Sequence, residues 1–170
     1  MPDLLSEILL LGGGSLERED QFELSYSARK GLVGGILAVK QACFFQYVFG
    51  RAVLPKYKAE LQFHNNGRCF AELRVKFQRK TFLFLMESWK GGEDLAPLTE
   101  DLDRLANHSA GGWLLVFSAS PPGQTEARLD QIDGLPGLGG RVGEHRFLTK
   151  SENGEDYEFW VGAWQHPAAG

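Results

Sequence analysis

The chain has 170 residues, of which 43% are hydrophobic and 24% are charged, and this composition excludes a disordered chain and indicates one globular domain. No apolar run approaches the ~18 residues of a membrane span, and two distant cysteines exclude a disulfide framework and a cysteine zinc site. The net charge of −4 does not by itself indicate a nucleic-acid partner.

The first 20 residues are predicted to form a short helix, over 3–11, followed by a glycine-rich loop. This apolar start has no basic region before it and contains two acidic residues, which predicts that it is not a signal peptide. Because unpaired cysteines suit a reducing compartment, we expect a cytoplasmic protein without membrane contact.

Residues 21–30 fit two different structures. The alternating Phe22, Leu24 and Tyr26 favour a strand, whereas the acidic residues before them suit the first turn of a helix. From Leu32 onwards, apolar residues recur every three or four positions, and Gly50 stands in a usual C-cap position. This pattern predicts a well-buried helix.

Three strands are predicted next, at 57–64, 68–77 and 81–89. The first turn contains "NNG", a hairpin signature in which Asn and Gly tolerate positive φ, and "QRK" makes the second tight turn. The third strand is apolar on both faces, which favours a central position in the sheet. These segments therefore form an antiparallel three-strand meander.

The remainder of the chain alternates helices and strands. We predict a helix at 98–108, a strand at 112–120, a short helix after "PPGQ", a glycine-rich loop, and a final hairpin built from 144–150 and 157–164. Antiparallel strands with inserted helices indicate a mixed α/β or α+β layer fold. We interpret residues 1–170 as a single domain with an N-terminal helix and loop (1–20), a core (21–120) and a C-terminal helix, loop and hairpin (121–170).

The order helix, three-strand meander, helix, strand resembles the restriction-endonuclease-like fold of the PD-(D/E)xK nuclease superfamily, over roughly residues 20–120. In that family an acidic residue lies on the second core strand, and another ends the third strand two residues before a lysine. The resemblance implies that these carboxylates hold one or two Mg²⁺ ions and that the lysine positions or activates the attacking water. It also implies DNA or RNA as the substrate.

The family pattern maps onto this chain with three departures: the first acid is Glu rather than the commoner Asp, the proline before it is absent, and the lysine is displaced. "FAELRV" places Glu72 at the first acid and "FLMESWK" places Glu87 at the second, and Glu23 would supply the first-helix glutamate if its segment is helical. The position for the lysine holds Trp89, and Lys90 comes one residue late. A shift of one residue turns a strand side chain to the opposite face, so Lys90 joins the site only if the strand ends or bulges there.

Simple structural roles also fit these acids. Glu72 shares a strand face with Arg74 and Lys76, which is typical of a solvated face with cross-strand charge pairs. Glu87 follows Leu83 and Leu85 on what looks like a buried face, where a carboxylate needs a metal, a cation or hydrogen bonds. Its place at a strand end would equally let solvent reach it.

The charge distribution adds a nucleic-acid hypothesis. Residues 29–90 carry 12 basic and 3 acidic side chains, whereas the segments before and after are acidic, with local charges of −5 and −8. A basic central segment predicts a positive surface, unless the acidic segments pack between its residues and neutralise their charge. Arg74, Lys76, Arg79 and Lys80 are the residues that we expect to contact phosphates.

Three functions stay open from the sequence. The first is a Mg²⁺-dependent nuclease that uses Glu72, Glu87 and Lys90, and the second is a member of the same fold that binds without cutting, which Trp89 favours. The third is a protein-interaction or regulatory domain, with a homodimer as one form. Its partner surface would be the apolar end of the final hairpin, formed by Phe159, Trp160, Val161 and Trp164.

Overall fold

The structure is a computed structural model in which most of the chain after residue 57 is described. The described residues are 17–18, 24–25, 28–30, 40, 43, 58–65, 69–89, 91–92, 94–108, 110–149 and 156–167. The helix predicted over 3–11 and the site residues Glu23 and Lys90 lie outside them. Of the segments 21–30 and 32–50, only scattered residues are described, and Leu24 and Cys43 among them are helical.

In the described part of the chain after residue 57, six strands form one sheet, and two helices connect or follow its central strands. In chain order the elements are β1 (Lys58–Asn65), β2 (Cys69–Phe77), β3 (Lys80–Ser88), α1 (Ala96–Ala106), β4 (Gly112–Ser120), α2 (Thr125–Asp133), β5 (Arg141–Thr149) and β6 (Tyr157–His166). The sheet order is β1-β2-β3-β4-β6-β5, with β3 parallel to β4 and every other pair antiparallel. The mixed α+β class, with its meander, helix, strand and C-terminal hairpin, is confirmed.

The turn between β2 and β3 has only two residues, Gln78 and Arg79, because Phe77 pairs directly with Lys80. Gln78 adopts a φ of 55°, the left-handed conformation that two-residue hairpin turns require. A short turn of this kind fixes the register of both strands. The same register then decides which side chains of β2 and β3 share a face.

The sheet buries both of its faces. One face, which α1 and α2 cover, carries the helix-side cluster, in which Leu85, Leu114 and Trp164 are fully buried. The opposite face carries a second cluster that includes Phe84 and Leu24. Because β3 contributes alternate side chains to both clusters, its predicted central position is confirmed.

The final hairpin differs from its prediction in two respects. Strand β5 begins at Arg141 rather than in the region of residue 144, since a register shift between Arg141 and Gly143 lets the glycine-rich segment pair with β6. Strand β6 lies between β4 and β5, so the side chains predicted to form a partner surface are buried in the core. They are Phe159, Trp160, Val161 and Trp164.

The hairpin belongs to the same sheet as the meander, because β6 pairs with β4 along its whole length. The single domain over 1–170, with boundaries at residues 20 and 120, stays a prediction. Across the described ranges, we find no helix with the length and apolar character needed to cross a membrane.

A network of ion pairs attaches α2 to β5. Arg146 donates to Glu126 and to Glu144, each at 2.8 Å, and Arg141 lies 2.8 Å from the other oxygen of Glu144. The hydrogen bond from Arg146 holds the pKa of Glu126 below its usual range, and the bonds to Glu144 and Glu126 raise the pKa of Arg146. Ionised Glu126 therefore favours the folded state.

We expect Glu126→Gln to lower the urea midpoint at neutral pH but not in acid. A lowered carboxyl pKa contributes stability that is present above the pKa of the unfolded chain, and that stability is lost as pH falls through the folded pKa. Midpoints should be measured at neutral pH and near pH ~2, well below the ordinary glutamate pKa, because the folded pKa is lower still. Glu100→Gln, an exposed change on α1, should leave both midpoints unchanged, and a Glu126→Gln difference that persists in acid would contradict the assignment.

Candidate functional site

Glu72 lies on β2, on the sheet face that the helices cover, and is only 2% exposed. Its Oε1 accepts a hydrogen bond from Nε of Arg74, and its Oε2 accepts one from Nη2 of Arg104 at 2.5 Å. Arg104 belongs to α1 and also lies 3.5 Å from Asp101. Glu72 is therefore a buried carboxylate held by two guanidinium groups, and not part of a solvated strand face.

Glu87 lies on the same face of the neighbouring strand. Glu72 pairs directly with Leu85 in the register of β2 and β3, and Glu87 comes two residues after Leu85, so the two acids are diagonal neighbours about 7 Å apart. Glu87 is 4% exposed, and its Oε1 accepts a hydrogen bond from the backbone N–H of Ser88 at 3.1 Å. The fold thus brings together the two acids that the sequence pairs.

Trp89 continues β3 beyond its last assigned residue. Its backbone N–H donates to the carbonyl of Phe117 at 3.0 Å, so the alternation of faces continues and the indole lies on the side of Glu87. The ring is buried in the helix-side cluster, and its Nε1–H donates to the carbonyl of Asp94 at 3.1 Å. A packed indole therefore fills the position that the family pattern gives to lysine.

The residues around Glu72 do not fit a Mg²⁺ site as they are arranged. Magnesium takes oxygen ligands at about 2.0–2.1 Å and demands near-octahedral geometry, but a guanidinium group already occupies each oxygen of Glu72. A metal would have to displace two cations. Within the described ranges, no group of three or more His, Cys, Asp or Glu side chains is placed to hold a metal ion.

A basic cleft of about 580 Å³ opens on the same sheet face, at the end of β3 away from Glu87, and Arg74, the partner of Glu72, is part of its lining. Helix α1 packs mainly against β3, β4 and β6, and on the β1 and β2 part of that face Glu60, Arg74 and Lys76 are exposed. The cleft contains the four basic residues predicted to contact phosphates, and its lining includes one carboxylate, that of Glu60. The lining residues are Glu60, Arg74, Lys76, Arg79, Lys80, Thr81, His108 and Ala110.

The sheet order explains how these charges converge. Arg74 and Lys76 alternate along β2 and share the helix side with Glu72, while Arg79 lies in the adjoining hairpin turn and Lys80 begins β3. Strands β5 and β6, which carry part of the acidic C-terminal segment, lie at the other edge of the sheet. The basic meander and the C-terminal hairpin therefore lie at opposite ends of the sheet.

Two residues of this region have no counterpart in the sequence predictions. Arg104 contacts Glu72 across 32 positions of sequence, and His108 lines the cleft from the loop after α1, with its Nδ1 3.2 Å from the carbonyl of Gly111. The contacts of both residues depend on how α1 packs against the sheet. The local sequence around them shows only a charged helix that ends at "NHSAGG".

No family model and no curated protein matches the chain. Among solved structures it is similar to humanized D. rerio TDP2 carrying 14 mutations, at 12% identity and a TM-score of 0.35, over 72% of this chain and 80% of that one. A similarity this low establishes neither a shared family nor a shared function, because function depends on the site rather than on the outline of the fold.

Proposed function

We propose that this chain binds the phosphate backbone of nucleic acid in the basic cleft and does not cut the strand. The observation that carries the proposal is the convergence of Arg74, Lys76, Arg79 and Lys80 on one cleft, with Glu60 as the carboxylate in its lining. Lysine and arginine side chains that neutralise phosphates release condensed counterions, and this supplies most of the affinity in non-specific nucleic-acid binding. A cytoplasmic location is part of the proposal.

The charges of the cleft are available to a ligand. Lys76 pairs with Glu60 at 3.1 Å, but both side chains are about half exposed, and surface pairs of this kind contribute at most about 1 kcal/mol. Arg79 and Lys80 form no ion pair with any residue in the described part of the chain. A phosphate group would therefore displace only one weak ion-pair partner, at Lys76. At Arg79 and Lys80 it would displace no ion-pair partner among the described residues.

Binding without cleavage is supported by the contacts of the acidic pair. Arg104 and Arg74 neutralise Glu72, and the buried indole of Trp89 stands where a water-activating amine belongs in the family pattern. General base and metal chemistry need groups within reach of the attacking water. The arrangement of Glu72, Arg104 and Trp89 instead resembles a packed structural site beside a binding surface.

Fluorescence anisotropy with labelled single- and double-stranded oligonucleotides tests the proposal over a salt series. If all four cations contact phosphates, we expect the affinity to fall with a log–log slope of about −3 to −4. Absence of binding at low salt, or an affinity that does not change with salt, would overturn it. A protein ligand that binds independently of salt would instead favour an interaction domain.

A second candidate function is Mg²⁺-dependent phosphodiester cleavage, which is favoured by the placement of Glu72 and Glu87 on one face of neighbouring strands. Incubation of DNA and RNA with the protein and Mg²⁺ or Mn²⁺ separates it from the first. We expect intact strands. Cleavage that Glu87→Gln abolishes would replace the binding proposal with a nuclease.

A further inference from the structure

The two ends of the Arg74 guanidinium have different surroundings. Its Nε donates to the buried carboxylate of Glu72, while we find no hydrogen bond from its Nη atoms to a residue in the described ranges. The side chain is 49% exposed and lines the cleft. Because guanidinium is a rigid planar fork, a bond at Nε fixes the plane in which the two terminal nitrogens lie.

Glu72 is well suited to act as such an anchor. It is 2% exposed, and its second oxygen is held at 2.5 Å by Arg104, which belongs to a different element of the fold. Asp101, itself buried, lies 3.5 Å from Arg104 and restricts that side chain in turn. A side chain locked by packing and by surrounding hydrogen bonds holds its neighbour in one geometry.

We infer that Glu72 is a positioning residue, which orients Arg74 for a two-nitrogen contact with a backbone phosphate, and that it is not a metal ligand. Arginine binds phosphate through two parallel N–H bonds, and this contact is stronger and more directional than a lysine contact. The inference rests on the proposed binding of nucleic acid in the cleft. It assigns to the family's first acid a role in binding instead of catalysis.

Two isosteric substitutions separate positioning from simple electrostatics. Glu72→Gln and Glu60→Gln each remove one negative charge beside the cleft, and Glu60 is exposed and paired only with Lys76 among the described residues. We expect Glu60→Gln to tighten oligonucleotide binding about twofold, because repulsion of phosphate falls. Glu72→Gln should weaken binding about fivefold, because Arg74 loses its charged anchor. Equal tightening by both would overturn the inference.

A second pair of variants keeps the test valid if Glu72→Gln does not fold. Arg74→Lys preserves the charge but removes the fork, and we expect an affinity loss of about tenfold. The matched change Arg29→Lys, at an exposed position outside the cleft lining, should alter the affinity less than about twofold, since the charge is kept and no phosphate contact is proposed there. Wild-type affinity in Arg74→Lys would overturn the inference, and circular dichroism would confirm that both variants fold.

The outcomes distinguish the two proposals. If the wild-type protein binds none of the oligonucleotides, the proposed function fails and the role of Glu72 fails with it. If the wild type binds with the expected salt dependence, but Glu72→Gln and Arg74→Lys behave as their controls do, only the positioning role fails.

Discussion

Replacing Arg79 and Lys80 together by glutamine is expected to lower the affinity for nucleic acid on the order of 100-fold. Arg79 lies in the β2–β3 turn and Lys80 begins β3. Both residues are exposed and line the cleft, and neither is neutralised by an ion pair within the described part of the chain. If each contacts one phosphate, the salt slope should also become shallower by about 2. Anisotropy titrations at several salt concentrations measure both quantities.

The control for this variant removes the same charge elsewhere. Arg29 and Lys30 are exposed and follow Ala28, which packs on the sheet face opposite the cleft. We expect the double glutamine change at these positions to reduce the affinity less than about threefold, as a change in long-range potential alone would. An equal loss in both doubles would show that the protein attracts nucleic acid through its overall field, and the cleft would then have no special role.

The strands were predictable because their signals are local. Alternation along β2, the apolar run of β3 and the turn sequences between them place the boundaries within one residue for most strands of the meander. The start of β5 could not be predicted in this way, because a glycine-rich segment becomes a strand only through pairing with β6 across a bulge. Long-range pairing there overrides the local preference of glycine for a loop.

The candidate site was predictable in part. The charge count indicates a basic surface, and the pairing of β2 with β3 brings its four predicted phosphate contacts to one cleft. The alternation in β2 places Glu72 beside Arg74, which suggests a solvated face, and only the docking of α1 shows that Arg104 buries it. The burial of β6 could not be predicted either, because an interior strand and an exposed apolar patch have the same sequence pattern.

Trp89→Lys, which restores the spacing of the family pattern, is expected to lower the free energy of unfolding by about 3–5 kcal/mol. The indole is 5% exposed and packs with Leu85 and Leu98 in the helix-side cluster. Lysine would leave a cavity there and bring an ammonium group into apolar surroundings. It would also lose the hydrogen bond to the carbonyl of Asp94. Urea denaturation of the variant and the wild type measures the difference.

Trp89→Phe provides the matched control, because it keeps an aromatic ring in the cluster and removes mainly the Nε1–H donor to Asp94. We expect it to cost about 1–2 kcal/mol, the combined effect of a smaller ring and one lost hydrogen bond. A lysine variant as stable as the wild type would mean that the indole is not required for packing. If that variant also cut DNA in the presence of Mg²⁺, Glu72 and Glu87 would form a catalytic site that lacks only its amine. The expected instability instead assigns Trp89 to the core, where its ring packs with apolar side chains of α1 and the sheet.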